Sequence, residues 1–132
     1  MLPQANRLRN TKDIEMVFKK GRGVKEGFLF LKFLENNLKT SRFAFIVSKK
    51  TAKKAVQRNK IKRRLRDIVQ KNLPRLKTGF DFVFVAQKGI EDKSLQEMKD
   101  NIERILSARR ILGFPISPKI KGDIGNQQIR RP

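Results

Sequence analysis

Between Phe28 and Leu34 the chain is almost entirely apolar, and the same density returns at Phe43 to Val47 and at Phe80 to Ala86. Such short apolar runs, bounded by Asn36-Asn37 and by Thr78-Gly79, predict three strands. The first two read as an antiparallel hairpin turning at Asn36-Asn37. A different period governs three other stretches. Ile14, Val17 and Phe18 recur at i, i+3 and i+4, which predicts a short helix over Thr11 to Lys20 with Thr11 as its N-cap and Gly21 as its stop. Leu95, Met98, Ile102, Ile105 and Leu106 form one face of a last helix, opened by a capping box of Ser94 and Glu97. The third helical stretch, Thr51 to Asn72, is closed by Pro74.

That third helix carries the most informative residues. At 3.6 residues per turn, Ile61, Leu65, Ile68 and Val69 share an arc that can reach a core. Arg58, Asn59, Lys62, Arg63 and Arg66 share the neighbouring arc, so burying one stripe fixes the other as a cationic comb. Lys60 and Arg64 point elsewhere. Lys49, Lys50, Lys53 and Lys54 add to the basic surface around the start of this helix. From Asn36 to Arg66 there are twelve Lys or Arg and no acidic residue. A face that only solubilises interleaves both signs. This one suits a polyphosphate.

The order is helix, strands, helix, strand, helix, an α+β arrangement of helices on a small sheet. Its 132 residues fit one domain with a modest core, over residues 1–112. Residues 113–132 are basic, contain Pro115, Pro118 and Pro132, lack periodicity, and read as a tail. Period two groups Phe28 with Phe30, Phe43 with Phe45, and Phe80 with Phe82 and Phe84. Most of these rings are expected in the core. A remainder on an open sheet face would offer a platform for unpaired bases, with Phe18 closing one side.

Composition narrows the function. The 33 Lys and Arg against 12 Asp and Glu leave a formal charge of +21, which calls for a polyanionic partner. There is no 18-residue apolar run and no opening signal peptide, so the cytoplasm is expected and a membrane partner is not. Without His or Cys the usual general base, thiol nucleophile and zinc ligands are missing. The carboxylates are scattered rather than clustered for Mg²⁺. No catalytic or metal-holding residues are expected in this chain, and no cofactor held by the protein alone.

Arg58-Asn59-Lys60-Ile61-Lys62-Arg63-Arg64-Leu65-Arg66 resembles the signature of the bacterial ribonuclease P protein subunit. Supporting matches are Arg7-Leu8-Arg9, Asp13-Ile14, Val17-Phe18 and Gly21 before it, Val47-Ser48-Lys49-Lys50 and Ala55-Val56 leading into it, and Gly79-Phe80-Asp81 after it. The resemblance spans roughly residues 7–110. It implies an αβββαβα sandwich of two layers, like ribosomal protein S5 domain 2, with a left-handed βαβ crossover. It also implies an RNA-binding subunit that assists a catalytic RNA in removing the 5′ leader from precursor tRNA, with Mg²⁺ expected on the RNA. The implied partners are that RNA and precursor tRNA.

On that reading Arg58, Asn59, Lys62, Arg63 and Arg66 face the catalytic RNA, with Lys49, Lys50, Lys53, Lys54 and Lys60 adding to the RNA-binding surface. Phe18, with Phe28 and Phe30, is expected to line the groove for the single-stranded leader. Ile14 stands where the family often has Phe, and Leu31 where a member can have Tyr. Two other classes remain open from the residues alone: a structural RNA-binding protein such as a ribosomal one, and an independent metal-dependent nuclease.

Overall fold

A computed structural model describes residues 2–76 and 78–107 of the chain. The elements, in order, are α1 (Thr11–Lys20), β1 (Arg22–Glu26), β2 (Leu29–Glu35), β3 (Arg42–Ile46), α2 (Ala55–Asn72), β4 (Phe80–Ala86) and α3 (Leu95–Ser107). This is the αβββαβα order and the α+β class. The segment read as a basic tail lies outside the described residues.

The four strands lie in the order β1-β2-β4-β3. The expected hairpin between Phe28–Leu34 and Phe43–Val47 does not form. β4 lies between the two, antiparallel to β2 and parallel to β3. Six of the seven β4 residues are buried, and Phe-Asp-Phe-Val-Phe-Val-Ala gives it apolar side chains for both faces. A strand of that composition belongs in the sheet interior. The hairpin that does form joins β1 to β2, turning at Gly27 with φ +59°. β1 escaped the sequence reading because Arg-Gly-Val-Lys-Glu buries Val24 alone.

The sheet separates two unequal packing layers. On one face, Phe33, Phe43, Phe80, Phe82 and Phe84 meet Ile61, Leu65, Ile68 and Val69 of α2 and Met98, Ile102, Ile105 and Leu106 of α3. Cross-strand register brings Phe43 against Phe82, with ring centroids 5.1 Å apart, and Phe45 against Phe84, at 5.5 Å. Among the described residues, the other face carries α1 and Leu8 of the amino-terminal segment, and Ile14 and Val17 pack with Leu8 on Ala44, Val83 and Leu34.

Local chemistry sets the helix ends. The α1 cap is Asn10, not Thr11: Lys12 N–H donates to Asn10 Oδ1 at 2.8 Å and Asp13 N–H at 3.4 Å. The Ser94–Glu97 box closes α3 in both directions, at 2.9 and 3.1 Å. α2 starts at Ala55, four residues later than the sequence pattern suggests. Ser48 to Ala52 instead forms a turn in which Thr51 N–H donates to Ser48 O, and Thr51 Oγ1–H donates to Ala86 O at 3.4 Å. Short hydroxyl side chains divert backbone donors from a helix in this way.

Candidate nucleic-acid interface

The face carrying α1 is only partly covered. Asp13, near the start of α1, lies 3.4 Å from Arg42 on β3, while Gly21 at its end receives the Lys32 Nζ bond at 3.2 Å from β2. The helix thus crosses the sheet over the rows containing Asp81 and Val83. Beyond it lies one register row, Ile46–Val85–Phe30–Lys25, running across all four strands. The first three of these side chains are half-buried and Lys25 is exposed, whereas Ala44 and Val83 of the next row are buried. Phe18 projects from the side of α1 and is 41% exposed, an unusual exposure for a Phe beside a core. Among the described residues, the strip of sheet beside α1 is a shallow groove with an apolar floor.

Around the β3 edge the groove meets a second concavity of about 370 Å³, lined by Arg7, Arg9, Ile14, Ala44, Ile46, Lys62 and Arg66 among others. The amino-terminal segment forms part of this wall because Leu8 N–H donates to Phe43 O at 2.9 Å, adding a short parallel bridge to the edge of β3. Lys62 and Arg66 occupy the flank of α2 nearest β3. Asn59 and Arg63 are exposed on the outer flank, and so are Lys49, Lys50, Lys53, Lys54 and Lys60. Among the described residues none of these cations has a carboxylate within 4 Å. Positive charge left uncompensated along a rigid helix is an electrostatic footprint for phosphate.

Two expected site residues have different surroundings. Phe28 does not share a face with Phe30. It sits in the turn before β2 and packs against the α2/α3 layer, with Lys93 Nζ 4.3 Å from its ring centre. The period-two argument fails there because Gly27 and Phe28 belong to the turn, where alternation does not apply. Arg58 is not a free tooth of the comb. Its Nη1 donates to Ala52 O at 3.0 Å and to Lys53 O at 2.7 Å, bracing the turn that carries Lys53 and Lys54. Its other guanidinium nitrogens keep their donors for a ligand.

The ribonuclease P family model matches residues 2–109, and the chain is 37% identical over 113 residues to the ribonuclease P protein component of a Pseudanabaena species, covering 85% of this chain and 97% of that one. The chain belongs to the ribonuclease P protein family. It is also 36% identical over 105 residues to the component from Streptococcus pneumoniae serotype 4, covering 80% and 85% of the two chains. Among solved structures, the ribonuclease P protein of Staphylococcus aureus superposes with a TM-score of 0.74 at 25% identity, covering 80% of this chain and 95% of that one. The Thermotoga maritima protein gives 0.72 at 27% identity, with 78% and 96% covered.

Within this family fold, sequence reasoning passed over Arg9, Ile46, Val85 and Lys25 as site residues. Ile46 and Val85 carried a usable signal. They alternate with Phe45 and Phe84, so period two assigns them to the opposite face once those rings are placed in the core. No local pattern marks Lys25, whose place in this row depends on the β1–β2 register. Among the described residues no three His, Cys, Asp or Glu side chains are grouped to hold a metal ion. No helix there is long and apolar enough to cross a membrane.

Proposed function

We propose that the groove and the cationic flank of α2 are two parts of one RNA-docking surface, with which this protein subunit of ribonuclease P assists a catalytic RNA in removing the 5′ leader of precursor tRNA. The observation that supports it best is their continuity. The row Ile46–Val85–Phe30 is left open by α1, and at its β3 end it meets Lys62, Arg66 and Arg9. Unpaired bases of the leader stack on Phe30 and Phe18, and the apolar floor excludes water beneath them. Asn59, Lys62, Arg63 and Arg66 contact phosphates of the catalytic RNA, with Arg58 holding Lys53 and Lys54 in place for the same ligand.

The protein's contribution is electrostatic and positional. Its cations offset repulsion between two polyanions, and the groove orients the leader so that the scissile phosphate is presented to the RNA. Among the described residues the carboxylates are not grouped to hold a metal ion. Mg²⁺ would be held by phosphates of the RNA, where it would supply Lewis-acid chemistry and activate water.

The direct test mixes the protein with a ribonuclease P RNA and precursor tRNA at low Mg²⁺. The expected result is accurate 5′ maturation where the RNA alone is nearly inactive. A protein that binds ribosomal RNA more tightly, and leaves maturation unchanged, would favour the structural RNA-binding alternative.

A further inference from the structure

We propose that the groove continues past Phe30 and opens across β1, where Gly23 and Lys25 form an exit for leader nucleotides beyond those stacked on the aromatic floor. The proposal rests on the leader reading above and extends it to a part of the sheet that no sequence signal marked.

Three observations place the exit. Lys25 ends the register row directly opposite Phe30, is exposed, and has no carboxylate within 4 Å among the described residues. The adjacent Glu26 carboxylate is engaged with Arg104 of α3 at 3.1 Å, so it does not neutralise Lys25. The second observation concerns Gly23. A Cβ there would lie 2.9 Å from Phe30 Cζ and 3.1 Å from both Phe30 Cε1 and Lys32 Cδ. The Phe30 ring therefore lies over the β1 backbone, and only a residue without a side chain leaves it room. Aromatic surface thus reaches the last strand of the sheet.

The third observation is topological. β1 is an edge strand, and its main helical contacts are with α3, on the face that buries Val24. Among the described residues, no helix packs to a comparable extent on the groove face of this edge. Four strands at about 4.8 Å spacing make a floor about 14 Å long, enough for several nucleotides. Polarity follows from the cationic flank of α2. If the catalytic RNA is held at the β3 end, the leader enters over Ile46 and leaves over β1, where the Lys25 ammonium can meet a phosphate.

The test uses the holoenzyme reconstituted with ribonuclease P RNA and precursor tRNAs whose leaders are lengthened one nucleotide at a time. For the native protein, affinity should rise with length until the strand has crossed β1. In Lys25→Ala the rise should stop earlier, with a loss of about two- to fivefold confined to the longer leaders. Their log–log salt slope should fall by about one unit, and that of short leaders should not change. Lys25→Glu should enlarge the same length-dependent loss. Identical length profiles for all three proteins would overturn the exit. So would an equal loss for mature tRNA, which would make Lys25 a general contributor to the positive field. Phe30→Ala separates the two claims. If it binds every precursor as tightly as the native protein, the groove reading fails and the exit falls with it. If it loses affinity while Lys25 variants do not, only the exit is wrong.

Discussion

Arg42 and Asp81 face each other on neighbouring parallel strands and are joined by two bonds, Nε to Oδ1 at 2.9 Å and Nη2 to Oδ2 at 2.7 Å. Asn36 Nδ2–H donates to the same carboxylate at 2.7 Å, and Asp13 of α1 adds a second anion 3.4 Å from Arg42. The hydrogen bonds from Arg42 to Asp81, helped by the charge of both aspartates, raise the guanidinium above its ordinary pKa despite partial burial. This network ties α1, the β2–β3 connection, β3 and β4 together below the groove. It therefore fixes the start of α1 against the sheet.

Removing one partner leaves the other without its counter-charge. Asp81→Ala is expected to destabilise the fold by about 3 kcal/mol, since Asp81 is buried and Arg42 is only partly solvated. Arg42→Lys should recover little of that, because an ammonium cannot reproduce the planar two-bond geometry. Urea denaturation measures both. A loss near zero for Asp81→Ala would show that the network contributes orientation without stability.

The phenylalanines divide by face, and their substitution should divide in the same way. Phe82→Ala removes a fully buried ring and should cost about 3–5 kcal/mol of stability. Phe28→Ala should also act on stability, through the turn and the Lys93 contact, while leader affinity stays intact. Phe30→Ala should do the reverse, weakening leader binding with a small change in melting temperature. A leader defect in Phe28→Ala would restore that ring to the site.

The sequence carried the elements far better than their pairing. Periodicity placed α1 and α3 within a residue or two because each has a one-sided apolar stripe. β2, β3 and β4 were placed as closely because each is a short dense apolar run bounded by polar or turn residues. Strand order is a property of the whole sheet. Nothing local to Asn36–Ser41 says that β4, arriving some forty residues later, will separate β2 from β3. The comb on α2 was legible for a similar reason of scale, since one helix fixes all of its angles. The bracing bonds of Arg58 were not legible, because they reach back to a turn whose shape depends on Ser48 and Thr51.

Acid titration should expose the cap of α3. Glu97 accepts from Ser94 N–H, and this bond, with the Ser94 hydroxyl and nearby Lys93, holds its carboxyl below the ordinary glutamate range. A depressed folded pKa contributes stability above the unfolded value and loses it as pH falls through the folded one. Stability should thus decline on the acid side of the ordinary glutamate range, and Glu97→Gln should flatten that part of the profile. An unchanged profile would mean that the box forms without the charge.

On α2, charge and brace are separable. Arg63→Ala and Arg66→Ala should each lower RNA affinity and reduce the salt slope by about one unit, with melting temperature nearly constant. Arg58→Ala should lower affinity and melting temperature together, because the Ser48–Lys54 turn loses two bonds to its carbonyls. If Arg63→Lys binds as well as the native protein, that position supplies point charge and not a planar fork.

The most direct measurement compares precursor and mature tRNA on the reconstituted holoenzyme, native against Phe18→Ala and Phe30→Ala. The two ligands differ by the leader alone, so their affinity ratio reads the groove. Each substitution should weaken precursor binding by about 1–3 kcal/mol and leave mature tRNA where it was. Equal losses for both ligands, or no loss for either, would contradict it.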